Sequence, residues 1–241
     1  MCHMSTDYYV RIERERGPQP SEQMIASIAS IAQGLHLSRE KRDHLFRLAG
    51  HQPPPREAGG DHVNPGMLRI LDRLTDTPAE VVTELGETLR QTPLGVALFG
   101  DLAGREGAYR SIGFRWFMDP AARSIVPAED HPFYSRLYAS GLRGVLAQRG
   151  PTSRAAQYVE LLTAKSEEFR AAWDLHEVGI PPREVKRYVH PEVGLLELNC
   201  QILLDPVHSH ALLVYTAHPG SESHEKLELL AVLGTYETSV H

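Results

Sequence analysis

EVKRYVHPEVGLLELNCQILLDPVHSHALLVYTA, residues 184–217, contains three runs of β-branched and large apolar residues. Turn signals separate them: HPEVG (190–194) and DPVHSH (205–210). Upstream, PAEVVTELGETLRQ (78–91) reads as two further short strands, a hairpin around Gly86. Between the early pair and the late three lies a long stretch of helical pattern. Strands at both ends of a domain with helices between them predict an α+β fold: an antiparallel five-stranded sheet with helices on one face.

The helices carry local start signals. In NPGMLRILDRL (64–74), Asn64 caps, Pro65 occupies the first helical position, and Met67, Ile70, Leu71 and Leu74 form the inward stripe. TPLGVALFGD (92–101) repeats the device, with Thr92 as cap, Pro93 after it and Gly100 at the end. Further helices are predicted over 107–118, 120–126, 132–149, 153–178 with a break near Ser166, and 221–233.

Working towards the N-terminus, HQPPPREAGGDH (51–62) is rich in Pro and Gly and has no apolar period. It places a linker at 53–63 between residues 1–52 and a larger domain, 64–241. The first segment reads as three helices. Ser5 caps the opening one, Pro18 and Pro20 forbid its continuation, Ser21 caps the second, and Ser38 caps a third through Leu45, Phe46 and Leu48.

Residues 1–52 hold seven Arg and Lys against six Asp and Glu, about +1, so with a formal net charge of −6 the remainder carries about −7. A body that acidic repels a polyanion, and any nucleic-acid contact belongs to the first fifth of the chain. Two cysteines make no disulfide framework. No run approaches the roughly 18 apolar residues of a membrane span, and the N-terminus lacks a signal peptide's apolar core. A cytoplasmic location with no membrane partner is expected.

Enzymatic chemistry finds no foothold. Among thirteen histidines, His208 and His210 are the closest pair, but no third ligand stands at motif spacing. There is no G-x-S-x-G elbow, and the glycines of GREGAYRSIG (104–113) match neither phosphate-binding spacing. Cys200 falls inside a strand as a small hydrophobe. Glu167 and Glu168 open a helix, where the macrodipole accounts for them. An acyl hydrolase lacks a visible nucleophile–base pair. No metal, cofactor or catalytic residue is expected.

The aromatics Phe114, Trp116, Phe117, Phe133, Tyr134, Tyr138, Tyr158, Phe169 and Trp173 all fall in the central helices. Most read as core. Large aromatics where helices cross a single sheet also suit an apolar ligand cavity, and Trp116, Phe117 and Trp173 are the candidates to line it.

STDYYVRIERERGPQPSEQMIASIASIAQGLHLSREKRDHLFRLAGHQPPP (5–55) resembles the second half of a helix-turn-helix of the XRE (Cro-like) family. TPLGVALFGD, RWFMDPAARSIVP (115–127), EEFRAAWDLHEV (167–178) and the late strands resemble, in order, the C-terminal domain of bacterial regulators with an MmyB-like ligand-binding domain. The resemblance covers nearly the whole chain. It implies a transcriptional regulator: a DNA-binding bundle followed by a PAS-like sensor of a small apolar, lipid-like or fatty-acid-like molecule. It implies Ser5, Thr6, Asp7, Tyr8 and Arg11 on the DNA-reading helix, with Tyr9, Ile12 and Glu13 at structural positions. Paired half-sites on DNA imply a homodimer.

Two departures stand out. Glu15 occupies a position where the family pattern has glycine, at a cost of about 1 kcal/mol if the backbone is left-handed. The helices that should precede the recognition helix are absent, with only Met1–Met4 ahead of it. The expectation is a true start upstream of Met1. The alternative is a sensor module that has lost DNA binding.

Overall fold

A computed structural model describes residues 31–48 other than 33 and 38, and residues 60–238 other than 206 and 207. The chain divides into two units between Arg56 and Glu57. In the first, helix α1 (Arg39–Leu48) buries Phe46 completely. The opening helix, with Ser5, Thr6, Asp7, Tyr8 and Arg11, lies outside the described residues, as does the start of the second helix at Ser21.

The second unit begins as the sequence signals dictate. Asn64 Oδ1 accepts from Gly66 N–H (2.8 Å) and caps α2 (Pro65–Leu71). The stripe differs from expectation, because the helix ends at Leu71 and leaves Ile70 half exposed while Leu68 packs inward. Strands β1 (Ala79–Thr83) and β2 (Thr88–Gln91) follow, joined through Gly86 at φ +70°. Thr92 Oγ1 accepts from Gly95 N–H (3.1 Å) and starts α3 (Pro93–Phe99).

The stretch expected as one helix over 107–118 is a 3-10 turn, Gly107–Arg110, followed by α4 (Ile112–Met118). Ser111 makes the break: its hydroxyl donates to Leu85 O (2.6 Å) and accepts from Phe114 N–H (3.2 Å). Residues 120–126 hold only a 3-10 turn, Pro120–Arg123. Then come α5 (His131–Arg149), α6 (Arg154–Lys165) and α7 (Glu167–Asp174), the last two separated at Ser166, which caps α7. Strands β3 (Val185–His190), β4 (Gly194–Asp205) and β5 (His210–Thr216) precede α8 (Glu222–Thr238), which ends five residues beyond the 233 that its pattern suggested.

The five strands form one antiparallel sheet in the order β2-β1-β5-β4-β3. The register pairs Val81 with Leu212, Cys200 with Tyr215 and Tyr188 with Leu196. Strand side chains alternate faces, and the two faces are covered differently. Leu196, Leu198, Tyr188 and Tyr215 join Leu94, Leu98, Trp116, Leu227 and Leu230 in the principal core. Ala79, Val81 and Leu212 point the other way and pack with Val63 and Leu71. Thus one short helix, α2, covers part of the face expected to be open. The last residues of the expected linker are also fixed to this unit: Val63 is buried, Gly60 O meets His210 Nε2 (2.9 Å), and Asp61 pairs with Arg110 (3.0 Å).

Candidate ligand-binding site

The hairpin positions α4. Ile112 N–H donates to Gly86 O (3.1 Å), and Glu87 forms an isolated bridge with Ser111. Glu87, itself buried, accepts from Thr83 Oγ1 (3.1 Å) and is paired with Arg154 and the Tyr158 hydroxyl on α6. Three consecutive residues of α4, Phe114, Arg115 and Trp116, are buried. A helix buried on several sides has a different neighbour on each. Phe114 belongs to a cluster with Tyr158, Leu162 and Phe169, whereas Trp116 belongs to the principal core.

Between α3, α4, α5 and the sheet lies a cavity of about 490 Å³, within the roughly 300–1,000 Å³ common for small-molecule sites. Its walls are mostly apolar, with Val82, Leu98, Phe99, Trp116, Tyr188 and Leu213 among them. Trp116 is held there by a chain of hydrogen bonds. Its Nε1–H donates to Ser135 Oγ (2.8 Å), Ser135 lies 2.5 Å from the Glu168 carboxylate, and Glu168 pairs with Arg123 (2.5 Å). Glu168 therefore does more than face a helix dipole.

The charged and ionisable side chains in the wall are Glu80, Arg105, Arg115, Asp119, Lys186 and His190, with Tyr134, Tyr138 and Tyr215. Glu80 accepts from Tyr215 Oη (2.9 Å) and Thr88 Oγ1 (3.0 Å), and burial raises its carboxyl above the ordinary carboxylate range despite those bonds. Burial likewise pushes the Tyr134 phenol up to about 12, with Asp130 adding to the effect. Lys186 Nζ lies 5.6 Å from the Tyr215 ring centre. Arg115 is the exception among these groups: it is 4% exposed, and its buried Nε has no hydrogen-bond partner among the described residues. Desolvation, with Arg105 nearby, lowers the guanidinium below its ordinary range. A buried unpaired donor is costly, and Arg115 is one of the residues that line the cavity.

The three aromatic candidates separate. Trp116 lines the large cavity, and Phe117 lines a second one of about 220 Å³. Trp173 lines neither: its ring stacks on Phe169 (5.3 Å, 27°), with Arg143 3.9 Å from the ring centroid. Arg115, Glu80, Tyr138 and Tyr215 were not anticipated as site residues. A lone cation inside the aromatic run GFRWFM (113–118) is a sequence signal for Arg115 alone. His208 Nδ1 meets Asp205 Oδ2 (2.9 Å) and its ring stacks on His210, whose Nε2 meets Gly60 O (2.9 Å) and whose buried Nδ1 has no hydrogen-bond partner among the described residues. Among the described residues, no three His, Cys, Asp or Glu side chains form a metal-binding group, and no helix is long and apolar enough to cross a membrane.

Comparison with known proteins gives this geometry a context. A search of the curated proteins finds no match to the chain. The family model for the MmyB-like transcription regulator ligand-binding domain matches residues 63–230. That family is one of regulator ligand-binding domains and not of enzymes. The match spans α2 to the core residues of α8, including every wall of the large cavity. The chain belongs to the MmyB-like transcription regulator ligand-binding domain family.

Proposed function

We propose that the chain is a cytoplasmic transcription regulator whose domain 64–241 senses a small, apolar, lipid-like effector with an anionic end. One observation carries the effector reading: a largely apolar cavity of about 490 Å³ is lined in part by a buried guanidinium whose Nε is unpaired among the described residues. An apolar chain gains by leaving water for such walls. A carboxylate would supply the acceptor that Arg115 lacks, in a charge-assisted hydrogen bond. Trp116 forms part of the apolar wall.

The DNA-binding half of the reading rests on the resemblance of residues 5–55 to an XRE-type helix-turn-helix. In it, residues 1–52 bind DNA through Ser5, Thr6, Asp7, Tyr8 and Arg11, residues 53–63 link the two parts, and a homodimer reads paired half-sites. Effector binding shifts how the two N-terminal segments are presented. That shift is limited by the effector's difference in affinity for the two states.

Retention of the full chain on DNA across a salt titration tests this half. The expected result is binding that falls steeply as salt rises, with a shallower slope for Arg11→Ala. Absence of salt-sensitive retention would overturn DNA binding and leave an effector-sensing module.

A further inference from the structure

The two cavities share three wall residues: Gly86, Ile112 and Tyr138. We infer that they are two lobes of one effector site, divided by the Ile112 and Tyr138 side chains, and that this partition sets the length of apolar chain the site accepts. The inference rests on the effector reading above.

The smaller lobe is a little under half the volume of the larger. Its wall includes Phe114, Phe117, Leu142, Leu162 and Phe169, so it suits hydrocarbon and offers little to a polar group. Arg115 lies only in the wall of the larger lobe. An amphipathic anion anchored there has its charged end in one lobe and the other lobe available to its tail.

Tyr138 is suited to act as the divider. Helix α4 comes close to it, since a Cβ at Gly113 would lie 3.5 Å from the Tyr138 Cβ. Its ring packs against Trp116 (5.5 Å) and Tyr134 (5.9 Å). Its hydroxyl makes no hydrogen bond among the described residues, whereas the Trp116 indole is tethered to Ser135. Packing alone holds the Tyr138 ring, and a side chain so held can be displaced or cut back without leaving a polar partner unsatisfied. On the turn side, a Cβ at Gly86 would lie 3.5 Å from Ile112 Cγ2, so the hairpin backbone closes the partition there. An occupant of both lobes must pass between or displace the Ile112 and Tyr138 side chains. That geometry selects a single flexible chain over a fused-ring molecule.

The test titrates the full-length chain with saturated fatty acids from octanoic to stearic, by displacement of a fluorescent fatty acid. Wild-type affinity should rise roughly fourfold per added methylene and then stop rising at a limiting length. Tyr138→Ala and Ile112→Ala should each move that limit to longer acids, with a gain of about tenfold or more for the first acids beyond it. Tyr138→Phe should keep the wild-type limit. Circular dichroism and thermal melts identify the variants that remain folded, and Ile112→Ala serves if Tyr138→Ala does not. An unchanged limit in a folded small-residue variant would overturn the partition and leave the effector reading standing. Failure of the wild-type chain to bind any acid in the series would overturn both.

Discussion

Arg115 and Glu80 share one cavity wall but differ in how they are satisfied. Glu80 has both oxygens hydrogen-bonded, whereas the Nε of Arg115 has no partner among the described residues. A buried cation in that state is a poor contributor to stability and a good anchor for an anion. Arg115→Met should therefore separate the two roles. Affinity for a long-chain fatty acid should fall about tenfold to a hundredfold, the worth of a hydrogen bond to a charged group. Affinity for the corresponding methyl ester should stay the same, because the ester carries no charge to lose. Stability of the ligand-free protein should hold or rise by about 1 kcal/mol in urea denaturation. Equal losses for acid and ester would mean that Arg115 only shapes the wall.

At the scale of elements, the contact between α3 and β1 depends on Gly95. A Cβ there would lie 2.8 Å from Ala79 O, a backbone atom that cannot swing aside. Gly95→Ala should force the helix away from the strand and cost about 1–3 kcal/mol. A Cβ at Gly144, inside α5, would have nothing within 4 Å among the described residues. Gly144→Ala should raise stability by up to about 1 kcal/mol, because alanine is the better helix former. Melting temperatures of the two variants should move in opposite directions; a shift of the same sign would contradict this packing account. The elements themselves were largely legible, because their signals are local. Asn64, Thr92 and Ser166 cap where a polar side chain precedes an apolar period, and Gly86 turns the hairpin at φ +70°. The break at Ser111 was not legible, since its cause is the Leu85 carbonyl, 26 residues away in sequence. Nor was the site. Glu80 and Tyr215 meet across 135 residues, and α4 is buried on several sides, so no amphipathic pattern distinguishes the direction of Arg115 from that of Trp116. Trp116 and Trp173 look alike as apolar aromatics in helices, and only tertiary packing puts the first in the cavity wall and the second under Arg143.

Across the whole domain, carboxylates impose opposing pH dependences. Asp130 accepts from Arg187 (2.9 Å) and Arg183 (2.6 Å), which ties the start of α5 to β3, and these bonds hold its pKa below the ordinary range. A depressed carboxylate stabilises fully above its unfolded pKa, about 4, and loses that contribution as pH falls through the lower folded value. Glu80 has the reverse sign. Its raised folded pKa favours the protonated form, so its contribution is complete below about 4 and is lost as pH rises through the folded value. In urea unfolding from acid to neutral pH, Asp130→Asn should flatten the acid limb of the stability curve. Glu80→Gln should raise stability at neutral pH relative to wild type and change little in acid. Curves that stayed parallel to wild type in both variants would contradict this assignment. The central claim, that the cavity is an effector site, is tested most directly by calorimetric titration of the full-length chain with a long-chain saturated fatty acid at several temperatures. The account predicts saturable binding of one ligand per chain with a negative heat-capacity change from apolar burial. Absence of saturable binding, or binding with no heat-capacity change, would contradict it.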